Sequence, residues 1–214
     1  MERCEIPTVE REEELSRAPI ARVDCFRWTD NGYTPRTEAQ LVLVRRRGFL
    51  VRLTSWETAR RAVCRVPDGE VYRDSCMEFF VNFAPEKTGD YLNLEVNPLG
   101  TLHAKYGPAR AGRRPLPPEL ERPRVKTEQQ PAFWRAELFI PLATIKGLFG
   151  KAEFVPGDVL RGNFYKCGDD AAFPHYGMWS PVLTESPDFH RPVPAIFSPV
   201  SLLILHCVLS LDLP

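Results

Sequence analysis

Short segments in which apolar and polar residues alternate recur along most of the 214-residue chain, and they constrain its fold more than any other feature. The clearest is "YLNLEVN" (91–97), where Leu92, Leu94 and Val96 share one face of an extended strand and Tyr91, Asn93, Glu95 and Asn97 share the other. "CMEFFVNF" (76–83) sets Met77, Phe79, Val81 and Phe83 against Glu78, Phe80 and Asn82. "AQLVLVRRRGFLVRLTSW" (39–56) reads as a hairpin with its tip near Arg46, Arg47 and Gly48. "FWRAELFIPLATI" (133–145) alternates until Pro141, which suits the first turn of a short helix ending near Gly147 or Gly150. "DVLRGNFYKCG" (158–168) is a further strand with Arg161, Asn163 and Tyr165 on one face, and "ARVDCFRW" (21–28) alternates in part.

Clusters of Pro, Gly and Asp separate these segments, and helical periodicity is nearly absent, so the fold class is all-β with one short helix. The length suits one well-packed domain, 1–214, with its body at about 20–206 and no internal repeat. Residues 107–131, rich in Pro and Arg and without an apolar pattern, read as a long excursion between strands.

Charge narrows the classes of partner. Lys plus Arg and Asp plus Glu balance at 28 each, which argues against nucleic acid and against an anionic membrane surface. The basic stretch 107–131 lacks the interleaved aromatic residues of a nucleic-acid arm. The charged beginning, "MERCEIPTVEREEELSR", has no apolar core of a secretory signal, so a cytoplasmic location is expected, with export by another route left open. The longest apolar run, "LLILHCVLSL", is about ten residues against the roughly 20 that a membrane helix needs, and the chain reads as soluble. Six cysteines without a CxxC pair are expected to be buried free thiols in a reducing compartment.

GxSxG, Walker, HExxH and GxGxxG signatures are all absent from the sequence. Ser75 or Cys76 in "DSC" lacks the local setting of a hydrolase nucleophile. Glu78 and Glu95, on strand faces, could form the carboxylate pair of a small glycoside hydrolase, accept sugar hydroxyls, or neutralise Arg161. His103, His175, His190 and His206 have no zinc-site spacing, while Asp74, Asp90, Asp158, Asp169 and Asp170 lie beside turns where a structural calcium ion could sit. The remaining constellation is aromatic and planar polar: Tyr72 and Trp179, with Trp56 and Tyr106 as further rings, beside Glu78, Glu95, Asn97, Arg161 and Asn163. Rings stack on the C–H faces of sugars, and amides, carboxylates and guanidinium groups bind their hydroxyls, so the set suits a saccharide. Each Trp taken alone reads equally well as a core anchor.

Five segments, "VYRDSCMEFFVNF", "YLNLEVNPLGTL", "FWRAELFIPLATI", "RGNFYKCG" and "MWSPVLTESPDFHRPVPAIF", together resemble carbohydrate-binding module family 9 over residues 20–200. The resemblance implies a β-sandwich of two antiparallel sheets that clamps the terminal sugar of a glucan or xylan between two rings. One ring lies six residues before the strand glutamate, here Tyr72 before Glu78, and the other in the late loop, here Trp179. The hydroxyl contacts then fall to Glu78, Asn97, Arg161 and Asn163, and some members hold structural calcium. Tyr72 stands where the family usually has Trp, and Glu95 where an Arg is expected. The resemblance implies non-catalytic saccharide binding. A hydrolase using the two glutamates, or a domain for haem or a protein partner, are the alternatives.

Overall fold

The structure, a computed structural model, describes residues 4–183 and the backbone of 198–201. Residues 184–197, His190 among them, His206, Cys207 and the apolar run near the C-terminus lie outside the described residues.

Two sheets form from the alternating segments. The first runs in the order β1 (Thr8–Val9), β3 (Thr37–Val44), β4 (Gly48–Ser55), β10 (Trp134–Pro141) and β9 (Arg124–Gln129), with β2 (Ala21–Arg22) also on β3. The second runs β12 (Tyr176–Met178), β11 (Val159–Cys167), β5 (Cys76–Asn82), β6 (Tyr91–Val96), β7 (Leu102–Gly107) and β8 (Arg114–Pro115), with β13 (Ser198–Ser201) pairing the start of β11. Every pairing is antiparallel except β1 with β3. The fold is therefore an antiparallel β-sandwich, and its short helix, α1 (Leu142–Phe149), follows Pro141 and ends on Gly150 in the left-handed region at φ 65°.

Alternation builds the core. Leu41, Leu43, Phe49, Val51 and Leu53 from β3 and β4 meet Met77, Phe79, Val81, Leu92, Leu94 and Val96 from β5 and β6. Phe79 and Phe164 stack at 4.9 Å, and Phe49, Phe83 and Phe154 pack ring against ring beside them. Burial of each such side chain contributes about 1.5–3 kcal/mol. Cys4, Ile6 and Val23 belong to this core, so it begins before residue 20. The hairpin turns at Arg45–Arg47, with Arg46 at φ 56°, and a Cβ on Gly48 would fall 2.2 Å from the Ile140 carbonyl oxygen.

The stretch 107–131 departs from its reading as an excursion, because Arg124–Gln129 forms β9, an edge strand on β10. Its side chains are half-buried or exposed, so it carries no apolar signature that a sequence could display. "ARVDCFRW" forms only the short β2 and a single bridge between Cys25 and Met178.

One end of the outer face of the first sheet is covered, while the rest carries partly exposed ion pairs such as Arg52 with Glu137. A 3-10 turn at Glu12–Arg17 lays Leu15 and Ala18 on Val42, Val44, Leu50 and Phe139. The outer face of the second sheet is instead built from polar and aromatic residues.

Candidate functional site

Strand register assembles the polar groups on that second face. Glu78 of β5 pairs with Glu95 of β6 on one side and Tyr165 of β11 on the other, and Glu95 pairs in turn with His103 of β7. One row across the sheet thus reads Tyr165, Glu78, Glu95, His103. The next row toward the far end of β5 holds Asn163, Phe80, Asn93 and Lys105, and on the other side Cys167 stands opposite Cys76. The face is covered: Glu78 is 2% exposed, Glu95 3% and Asn93 fully buried. An ordinary wet sheet face would leave such groups in water.

The cover comes from loops. The turn Val71–Arg73 lays Val71 and Tyr72 over Phe80, Tyr165 and Cys167, with Trp28, Cys25 and Tyr176 packed around them. Tyr72 is half-buried, and its hydroxyl donates to Glu70 at 2.8 Å. From the 107–131 stretch, Arg113 folds onto the face, donating to the Asn93 side-chain oxygen and lying 3.6 Å from Glu95. The guanidinium expected on the strand of Glu95 therefore arrives from a loop.

Several buried polar atoms here have no hydrogen-bond partner among the described residues. They are Oε2 of Glu78, Oε2 of Glu95, Nδ2 of Asn93, Nε of Arg113 and Nε2 of His103. His103 Nδ1 sits 3.0 and 3.1 Å from the carbonyls of Asp68 and Gly69 and so holds the proton, which leaves Nε2 as an acceptor. Burying a polar group unsatisfied costs about 1–3 kcal/mol, so these donors and acceptors call for partners of the kind that ordered water or hydroxyl groups supply. Burial, reinforced by the charge of Glu95, pushes the Glu78 carboxyl well above the usual carboxylate range, against the hydrogen bond from Cys167 and the charge of Arg113. The Cys167 thiol donates to Glu78 Oε1 at 3.0 Å.

The other expected contacts are placed differently. Asn97 spends its whole side chain on the protein: Nδ2 donates to the Cys64 carbonyl and to Asp74, and Oδ1 accepts from Leu99 and Thr101. Asn163 bridges to Ser180 in both directions, at 2.8 and 3.0 Å, and so tethers the segment after β12. Arg161 is exposed near the start of β11, on the Asn82 register. Trp179 is not set opposite Tyr72. Its backbone N–H donates to the Phe164 carbonyl, its ring lies 5.7 Å from that of Phe164, and it joins the core between the sheets. The cause is alternation, since Met178 points to the outer face and the next residue must point in. Trp56 packs under the Arg36 guanidinium at 4.1 Å, and Tyr106 under that of Arg114 at 4.5 Å.

Four of the turn aspartates, Asp74, Asp90, Asp158 and Asp170, have partners within the protein. Asp74 accepts from the Val63 and Cys64 amides and Asn97, Asp158 and Asp170 face Lys151 and Arg73, and Asp90 lies 4.0 Å from Arg114. Among the described residues they form no ligand group with one another.

Behind the face, at the end of β11, lies a buried ionic knot. Lys166 Nζ donates to the Cys167 carbonyl at 2.9 Å and to His175 Nε2 at 2.7 Å, and it pairs with Glu57 at 3.2 Å. Glu57 also accepts from Ser75 at 2.8 Å and from the Trp134 indole at 3.1 Å. Burial pushes the Glu57 carboxyl up, but Lys166, Ser75, His175 and Trp134 outweigh it and hold the group below its ordinary value. His175 is driven down to about 4, by burial first and then by Lys166.

The fold is a two-sheet sandwich whose second outer face gathers buried polar groups under loops. The chain belongs to carbohydrate-binding family 9, whose sequence model matches residues 8–202. Among solved structures it is similar to a protein from Bacteroides uniformis described as a candidate carbohydrate-binding protein, at 26% identity and TM-score 0.78 over 94% of this chain and 98% of that one. Two family 9 modules from Caldicellulosiruptor kristjanssonii share the fold. The one in complex with cellotriose is 12% identical, TM-score 0.68, over the whole of both chains, and the one in complex with glucose is 13% identical, TM-score 0.66, over 95% and 96%. No curated protein matches the sequence.

Arg113, Asn93 and His103 lie on the same face, although none was among the expected sugar contacts. Asn93 and Glu95 alternate in phase, so the face was visible in the sequence. Arg113 sits in a run of arginines with nothing local to distinguish it.

Proposed function

We propose that this chain is a non-catalytic module that binds a mono- or oligosaccharide, the terminal sugar of a plant glucan or xylan, on the outer face of the second sheet. The observation that carries the reading is the set of unpartnered buried atoms on Glu78, Glu95, Asn93, Arg113 and His103. A hydroxyl donates once and accepts twice, and a ring of hydroxyls is the ligand chemistry that meets acceptors and donors interleaved at such short range. Tyr72 supplies the apolar surface for the C–H face of the sugar. The family and the saccharide-bound relatives support the same class of ligand.

The test is calorimetric titration of the full chain with glucose, xylose, cellobiose and xylobiose. Saturable binding by wild type that weakens by about tenfold or more, roughly 1.4 kcal/mol, in Glu95→Gln and in Arg113→Met supports the reading. Absence of binding to all four, by a chain folded by circular dichroism, removes it. Aryl-glycoside turnover lost in Glu78→Gln would replace it with hydrolysis, for which paired carboxyl groups are the machinery.

A further inference from the structure

Cys76, Glu78 and Cys167 place two thiol sulfurs and a carboxylate oxygen within 4.8 Å of one another, all three residues fully or almost fully buried. We infer that this trio is a binding site for a thiophilic divalent ion of the zinc class. The geometry follows from the sheet: Cys76 and Cys167 face each other across β5 and β11, and Glu78 stands one residue pair along β5 on the same side. In a tetrahedral site with metal–sulfur bonds of about 2.3 Å and metal–oxygen bonds of about 2.0–2.2 Å, ligand atoms lie about 3.3–3.8 Å apart. Cys167 Sγ and Glu78 Oε1 are already at 3.0 Å, so small side-chain rotations complete the three-ligand arrangement.

The carboxylate also has a donor atom to spare for the metal. Glu78 Oε2 is buried without a partner among the described residues, so the carboxylate has an acceptor atom that the protein leaves unused. The Tyr72 carbonyl lies 3.6 Å from Cys167 Sγ and borders the site. Two sulfur donors select a soft ion over calcium or magnesium. Burial holds the Cys76 thiol up at about 12, and the Cys167 thiol is likewise raised by its hydrogen bond with Cys76 and by burial. Binding therefore displaces thiol protons to solvent and tightens as pH rises. The metal site shares Glu78 with the proposed sugar face but does not need a sugar, and sugar binding and metal binding are measured separately.

The experiment titrates the full-length, reduced, chelator-treated chain with cobalt(II), followed by zinc(II). The expected result is a thiolate-to-cobalt charge-transfer band saturating at one equivalent and abolished by zinc. Cys76→Ser and Cys167→Ser should lose the band, and Glu78→Gln should bind about tenfold more weakly or worse, since an amide offers neither charge nor an equally strong donor oxygen. No band in wild type at millimolar cobalt overturns the inference. So does an undiminished band in folded Cys167→Ser, which would assign the metal to other thiols. Should the serine variants fail to fold, the near-isosteric Glu78→Gln decides: undiminished affinity there overturns it.

Discussion

His175 offers a direct test of the ionic knot. Lys166 Nζ presents three hydrogens to three acceptors, the Cys167 carbonyl, His175 Nε2 and Glu57, so the arrangement holds only while the imidazole is neutral. Its Nδ1 lies 2.7 Å from the Phe173 carbonyl and carries the ring's single proton, and Tyr33 closes over the ring edge at 5.2 Å. With a folded value of about 4 against an ordinary 6.5, the unfolded chain takes up the proton first as pH falls. Stability from this group is complete above 6.5 and declines as pH drops toward 4. By linkage, the His175 contribution, read as the difference between wild type and a non-titrating variant, should fall by about 2 kcal/mol between pH 7.5 and 5, approaching about 3 kcal/mol near pH 4. The assay is urea denaturation at closely spaced pH values for wild type and His175→Gln, which cannot titrate there. Glu78 acts in the opposite sense, since its raised carboxyl stabilises the fold at low pH and loses that contribution as pH rises through its folded value. That contribution is common to both proteins and cancels in their difference. Parallel pH profiles for the two would refute the neutral-histidine arrangement.

Three further outcomes are expected. Trp179→Ala should lose about 3–5 kcal/mol of stability in denaturant titration, as removal of a core ring does, while the folded protein keeps its sugar affinity. Glu57→Gln strands the fully buried Lys166 and should cost about 3–5 kcal/mol, more than the unfolding cost of any surface ion pair in the chain. Tyr72→Ala should leave stability within about 1 kcal/mol, since the ring is half-buried, and lower sugar affinity in calorimetry by about tenfold or more.

Strands with one apolar face were legible because their period is written in the residues: the edges of β5, β6, β10 and β11 fall within a residue or two of the alternating segments. β9 was not, since an edge strand over solvent needs no apolar stripe. At the site, Glu78 and Glu95 were legible for the same reason as the sheet. Asn97 and Asn163 were misleading in isolation, because an amide that shapes a turn or ties down a loop has the same composition as one that binds a hydroxyl. Trp179 shows the limit of loop reading, where an irregular segment still obeys strand parity for the first residue beyond β12. Lys166 was invisible as a core residue because nothing in a sequence says that a cation will find three acceptors indoors.

That lysine also sets how β11 threads into the sheet. Lys166 points inward to Glu57 while its neighbour Cys167 points outward to Glu78. A shift of one residue along β5 would send the ammonium out among the ligand groups and leave Glu57 charged, enclosed and alone, a penalty of several kcal/mol that no apolar strand could impose on its own misalignment. The knot is thus a key cut to a single register, and the spacing of every group on the second sheet's outer face is copied from it.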